Sequence, residues 1–103
     1  MNQLFIPYQI AEMLRNIWFS EPCLGYWQNC ELIISPIEPY SLEKYGLGIL
    51  APIYQQVLKW LKAEHQILIA ELWDGWEIAK HGEDFQYFKT LDEALEKAIG
   101  LIS

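Results

Sequence analysis

Apolar residues recur every three or four positions in three stretches of the chain, at residues 7–18, 52–65 and 91–102. This is the period of an α-helix that buries one face, so each stretch is predicted to be an amphipathic helix. The apolar stripes consist of Ile10, Met13, Leu14, Ile17 and Trp18 in the first stretch, Ile53, Val57, Trp60 and Leu61 in the second, and Leu91, Ala94, Leu95, Ala98, Ile99 and Ile102 in the third.

The start of the third helix carries a capping signal. Thr90 precedes the apolar stripe and Glu93 follows three positions later, which is the spacing of a capping box. In such a box the Thr90 hydroxyl accepts from the Glu93 N–H and the Glu93 carboxylate reaches back towards Thr90. The spacing therefore predicts that the helix begins directly after Thr90.

Two other regions, residues 23–36 and 66–79, are rich in β-branched and aromatic residues and contain turn signals, so each predicts a β-hairpin. Gln28-Asn29-Cys30 is the expected turn of the first hairpin. Asp74-Gly75 is the expected tip of the second, because a type I′ turn needs positive φ at both central residues. A short strand is expected at residues 85–89.

The second hairpin is predicted to be apolar on both faces. With Asp74-Gly75 as the loop, Trp73 lies opposite Trp76 and Ala70 lies opposite Ala79. Helices could cover both faces, one face could meet a partner, or a bulge could shift the register. The expected faces consist of Ile67, Ile69, Trp73, Trp76 and Ile78 on one side, and Leu68, Ala70, Leu72 and Ala79 on the other.

The predicted fold class is α+β. The expected architecture is two β-hairpins that form a mostly antiparallel sheet with three amphipathic helices, in the order α-β-β-α-β-β-(β)-α. The long connection at residues 36–51 leaves room for a short helical turn at residues 41–44. A chain of 103 residues is expected to form a single domain, residues 1–103, because folding at this size buries about two-thirds of the unfolded surface.

Charge and composition narrow the expected partners and compartment. The formal charge of −7 opposes direct nucleic-acid binding, since that binding depends on cations that neutralise phosphates. No signal peptide is recognisable and no apolar stretch is long enough to cross a membrane. Two cysteines do not make a disulfide framework, so a cytoplasmic protein with reduced thiols is expected.

The residues that could support chemistry are few. Cys23, Cys30, His65 and His81 are zinc-ligand types, but they form no closely spaced pairs, so no metal or cofactor is predicted. His81 lies near Asp84 in a predicted loop, and such a pair performs acid–base chemistry only within a cleft. A small ligand-binding or hydrolytic domain that uses His81 and Asp84 is therefore the alternative function, and no catalytic residue is assigned.

Aromatic residues make up 15% of the chain, and four of them lie in the two hairpins. Tyr26, Trp27, Trp73 and Trp76 are the candidate interaction residues, because aromatic side chains dominate both small cores and protein interfaces. Whether they belong to a core or to an interface is left open by the sequence. The leading expectation is a non-enzymatic protein-interaction module that binds another protein or a second copy of itself.

Several segments are similar to a known group of proteins, namely residues 54–65 (YQQVLKWLKAEH), 66–69 (QILI), 75–78 (GWEI), 88–99 (FKTLDEALEKAI) and the N-terminal residues 7–27. They resemble small proteins of Bacteroidetes genomes and their phages, which combine a first helix, a Lys-Trp-Leu-Arg helix, an extended pair and a terminal helix. This chain has Lys62 where that group has Arg. The resemblance implies a small protein of phage or mobile-element origin, with no activity to carry over.

Overall fold

The computed structural model describes residues 4–46, 48–80, 82 and 84–102. These residues form an α+β fold, which confirms the predicted class and the predicted order of the main elements. The elements are α1 (Tyr8–Asn16), β1 (Cys23–Gln28), β2 (Glu31–Ile37), α2 (Pro39–Tyr45), β3 (Ile49–Leu50), α3 (Tyr54–His65), β4 (Ile67–Leu72), β5 (Gly75–Lys80), β6 (Gln86–Phe88) and α4 (Leu91–Ile102).

The strands are divided between two sheets, where the sequence predicted one. The first sheet has the order β2-β1-β3 and the second has the order β4-β5-β6, and every strand pair is antiparallel. The contacts likewise separate the chain into two compact units, residues 1–54 and 55–103. The expectation of a single domain rests on length alone and stays a prediction.

The first unit contains α1, α2 and the first sheet. Its hairpin has a two-residue loop, Asn29-Cys30, because Gln28 already pairs with Glu31. Both loop residues have positive φ, 51° and 63°, as a type I′ turn requires. The buried apolar residues of this unit are Phe5, Ile6, Ile10, Ala11, Leu14, Ile17, Phe19, Cys23, Leu42, Ile49, Leu50 and Ala51.

Helix α1 ends earlier than its apolar stripe. The Trp18 N–H donates to the Arg15 carbonyl at 3.1 Å, and the Phe19 N–H donates to the Leu14 carbonyl at 3.0 Å. These are the two bonds of a Schellman motif, which requires a left-handed residue after the helix, and Trp18 has a φ of 68°. The prediction that Trp18 lies on the buried stripe is therefore wrong: its side chain is 89% exposed.

The second unit contains the second sheet and α4, which packs against β5 and β6, together with nearly all of α3. The Thr90 hydroxyl accepts from the Glu93 N–H at 3.2 Å, so this half of the predicted capping box is confirmed. The same hydroxyl lies 3.1 Å from a Glu93 carboxylate oxygen, to which it donates. The buried apolar residues of this unit are Val57, Trp60, Leu61, Ile67, Ile69, Ile78, Ala94, Leu95, Ala98 and Ile99.

Candidate interaction surface

The register of the β4–β5 hairpin differs from the predicted one. Leu72 pairs with Gly75 and Glu71 pairs with Trp76, so the two loop residues are Trp73 and Asp74. Neither loop residue is among those with positive φ. The predicted pairing of Trp73 with Trp76 is therefore wrong, and so is the predicted type I′ turn at Asp74-Gly75.

The third strand explains this shift, because it leaves no room for a side chain at Gly75. A Cβ atom at this position would lie 2.5 Å from the Phe88 carbonyl oxygen and 2.6 Å from the Tyr87 ring. The Tyr87 hydroxyl also donates to the Asp74 carbonyl at 2.6 Å. Glycine is thus required here for close approach inside a strand and not for a turn with positive φ.

The shift moves each residue by two positions along its partner strand, so the side chains stay on the faces that the sequence predicted. On one face, Ile67, Ile69 and Ile78 are buried. The opposite face, called the open face below, exposes 47% of Leu68 and 50% of Tyr87. The open face consists of Leu68, Ala70 and Leu72 on β4, Glu77 and Ala79 on β5, and Tyr87 on β6.

The backbone groups on the outer edge of β4 belong to two buried residues, Ile67 and Ile69, and to one exposed residue, Glu71. Leu72 and Gly75 flank a two-residue loop and exchange both hydrogen bonds, so along this regular ladder Ala70 and Leu68 also bond to β5. The backbone groups of Ile67, Ile69 and Glu71 must then point away from β5. In the part of the chain that the structure describes, no strand pairs with this side of β4.

Trp73 is the most exposed of the four predicted interaction residues. It lies at the tip of the β4–β5 hairpin and is 97% exposed. Trp76, in contrast, is half-buried and lies on the same face as Ile78, opposite Phe88 of the third strand. The structure therefore places one of the two hairpin tryptophans in solvent and the other against the second unit's own core.

Tyr26 and Trp27 lie apart from them, on β1 of the first unit. Both are half-buried. The Trp27 indole N–H donates to the Ile6 carbonyl at 3.0 Å, and the Trp27 ring meets the Tyr8 ring edge to face with centroids 6.1 Å apart. Because of these contacts, Trp27 packs within the first unit.

The first unit contains a groove that the sequence pattern did not predict. It has a volume of about 330 Å³. Phe19, Leu42 and Leu50 form apolar parts of its wall, and the exposed Trp18 lies at the same groove. The exposed position of Trp18 follows from its backbone conformation, which the helical spacing of the sequence did not indicate. The charged residues that line the groove are Arg15 and Glu43.

The residues considered for acid–base or metal chemistry do not form a site in the described part of the chain. His81 lies outside the described residues, while Asp84 is exposed. Cys23 is buried and Cys30 is exposed, and the two are not joined by a disulfide. Among the residues that the structure describes, no three His, Cys, Asp or Glu side chains are grouped as metal ligands.

Comparisons with known proteins identify no relative of this chain. No family model matches the chain, and neither a curated protein nor a solved structure matches it. Within the described residues, none of the helices has both the length and the apolar character needed to cross a membrane.

Proposed function

We propose that this protein is a non-enzymatic protein-interaction module that binds through the open face of the second sheet and the adjacent hairpin tip. The observation that carries this proposal is the exposure of apolar side chains there: Trp73 is 97% exposed and Leu68 is 47% exposed. Exposure of apolar side chains to water is unfavourable, and a partner that covers them gains that free energy.

The form of this surface also suits a protein partner. The paired strands β4 and β5 hold the apolar side chains, and the exposed Trp73 extends from their tip. Aromatic and apolar side chains are enriched at the centre of many interfaces. Glu77 is the one charged residue on the open face as the described strands define it. Few charges would therefore need to be desolvated when a partner covers it.

The resemblance to small phage proteins supports an origin in a phage or another mobile element. We include that origin in the proposal, together with a cytoplasmic location. Genes that encode phage structural or regulatory proteins on either side of this gene would agree with it, whereas a conserved chromosomal operon of metabolic genes would contradict it.

Photocrosslinking in cells of the source organism tests the surface directly. A photoreactive benzoylphenylalanine replaces Trp73 in one variant and Leu68 in another. The matched control replaces Ile34, which is 53% exposed on the first sheet. We expect the two second-sheet variants to form a covalent adduct with a protein and the control to form none. If all three variants behave alike, the proposed surface is wrong.

A further inference from the structure

We infer that Asp74 is a site of isoaspartate formation, and that the hydrogen bond from the Tyr87 hydroxyl to the Asp74 carbonyl slows this reaction in the folded protein. The reacting groups belong to Asp74 and Gly75, at the tip of the β4–β5 hairpin. This chemistry needs no partner and is therefore independent of the proposed function. Three features decide its rate: the dipeptide itself, the backbone contacts of Gly75 and the position of the Tyr87 ring.

The reaction is an intramolecular condensation followed by hydrolysis. The Gly75 amide nitrogen attacks Cγ of the Asp74 side chain. A C–N bond forms, the amide proton and the carboxyl hydroxyl leave together as water, and a five-membered succinimide results. Water then adds to one of the two ring carbonyls. Cleavage at the side-chain carbonyl restores aspartate, whereas cleavage at the main-chain carbonyl yields isoaspartate, whose backbone runs through Cβ and Cγ. The water lost in the first step is regained in the second, so no co-reactant is consumed.

Asp74-Gly75 is the dipeptide of this chain in which the attack is least hindered. The other two aspartates, Asp84 and Asp92, precede residues with large side chains. Glycine has no Cβ, so the attacking nitrogen is accessible and the backbone around it rotates readily. Asp74 is also exposed, which gives water access to its side chain. The sequence therefore supplies a reactive site whenever the hairpin is open.

The folded hairpin opposes the reaction through the backbone contacts of Gly75. Gly75 pairs with Leu72 across the two-residue loop, so the Gly75 N–H donates to the Leu72 carbonyl. Attack on the Asp74 side chain requires this nitrogen to lose its proton and to turn towards Cγ, which breaks the bond. Gly75 is also buried, and a Cβ added to it would lie 2.5 Å from the Phe88 carbonyl oxygen. The closed hairpin therefore leaves little room for this movement.

Tyr87 adds a second restraint from the third strand. Its hydroxyl donates to the Asp74 carbonyl at 2.6 Å, and this carbonyl belongs to the same peptide group as the Gly75 nitrogen. Its ring lies against Gly75, 2.6 Å from the position of an added Cβ. Rotation of the peptide group therefore breaks the Tyr87 bond as well as the bond to Leu72. A side chain 13 positions away thus fixes the peptide group at which isomerisation begins.

The population of the open hairpin sets the expected rate. Succinimide formation is slow compared with local opening and closing, so the observed rate equals the rate of the open chain multiplied by the fraction that is open. The net contribution of one hydrogen bond corresponds to about a fivefold change in that fraction. Removal of the Tyr87 hydroxyl should therefore speed isoaspartate formation about fivefold.

Peptide mass spectrometry during incubation at neutral pH measures isoaspartate at residue 74. Tyr87→Phe keeps the ring and removes the hydroxyl, and Tyr45→Phe is the matched control, since Tyr45 is an exposed tyrosine of the first unit. The native chain in guanidinium chloride gives the rate of the open state. We expect the folded native chain to react more slowly than the unfolded chain by about tenfold or more, because at least two hydrogen bonds must break. Tyr87→Phe should react about fivefold faster than the folded native chain, and Tyr45→Phe at the native rate.

Hydrogen exchange of the Gly75 amide reports the same opening independently. In the native chain, the ratio of unfolded to folded isomerisation rates should match the exchange protection of Gly75, a comparison that needs no substitution. Absence of isoaspartate from the unfolded chain would overturn the site, and equal rates in the folded and unfolded chains would overturn its protection. An unchanged rate in Tyr87→Phe would overturn the role of Tyr87. So would a slower rate, since the hydroxyl would then activate the Asp74–Gly75 amide.

Discussion

The two sheets have the same number of strands and hairpin loops of the same length, two residues. Their long edge strands, β2 and β4, differ in how regularly they pair with the neighbouring strand. In the first sheet, the pairing of β2 is interrupted by a register shift between Cys23 and Gly25 of its neighbour, and β2 contains Pro36. In the second sheet, β4 pairs regularly along its whole length. A bulge and a proline protect an edge strand from further pairing. Strand β4 has neither, and two of the residues along its outer edge, Ile67 and Ile69, are instead buried.

The loops of the two hairpins also differ, in their backbone conformation and in where glycine is used. Asn29 and Cys30 adopt positive φ without any glycine, while the glycine of the second hairpin lies inside a strand. A glycine next to an aspartate can thus serve either a turn or a close contact between strands. Which of the two it serves depends on a third strand that is distant in sequence from the loop.

The largest expected effect comes from proline at position 70 of β4, and proline at the neighbouring position 71 is its matched control. Ala70→Pro removes an N–H that bonds to β5 and should lower the free energy of unfolding by about 3 kcal/mol or more. Glu71→Pro removes an outward N–H and should lower it by less than about 1 kcal/mol. Urea denaturation of both variants measures the difference. Equal losses would show that the assigned bonding direction of β4 is wrong.

Gly75→Ala should have the next largest effect. The added Cβ would meet the Phe88 carbonyl oxygen at 2.5 Å, so β6 must move, at an expected cost of about 2 kcal/mol in the free energy of unfolding. Gly100→Ala is the matched control, because nothing lies within 4 Å of its added Cβ and the residue is helical. The control should stabilise the chain by about 0.5–1 kcal/mol. A neutral Gly75→Ala variant would contradict the close packing of β6.

The smallest expected effect lies in the first unit, at the end of α1. Trp18→Gly should raise the free energy of unfolding by about 1 kcal/mol, because a left-handed backbone costs about 1–2 kcal/mol for a residue other than glycine. Trp18→Ala removes the same indole but keeps the backbone cost, so it should give no such gain. Thermal and urea unfolding compare the three proteins. A gain in both variants would assign the effect to the exposed ring and not to the backbone.

Much of the fold could be predicted because local patterns specify it. The apolar stripe of α4 and the Thr90 cap lie where periodicity and capping chemistry place them. The alternation along β4 also predicted which residues share a face, since a shift of two positions does not exchange the faces of a strand. For this reason the burial of Ile67 and Ile69 agrees with the sequence despite the wrong register.

The candidate surface was less predictable because it depends on backbone geometry and on distant neighbours. Trp73 was expected on a sheet face and instead lies in the loop, where it is exposed. Trp18 was expected on the buried stripe, but its left-handed φ directs it into solvent. Trp27 appeared equivalent to Trp73 in sequence, yet its indole N–H is bonded to the Ile6 carbonyl, 21 positions away in the chain.

The sequence by itself determined the α+β class, the order of the main elements and the apolar faces, because these follow from periods of 3.6 and 2 residues and from local capping. Only the tertiary structure decided that the strands form two sheets, that the second hairpin turns at Trp73-Asp74 and that β4 pairs with β5 without a register shift. These features depend on which strands become neighbours and on how closely they approach, and neither is specified within a short segment of sequence.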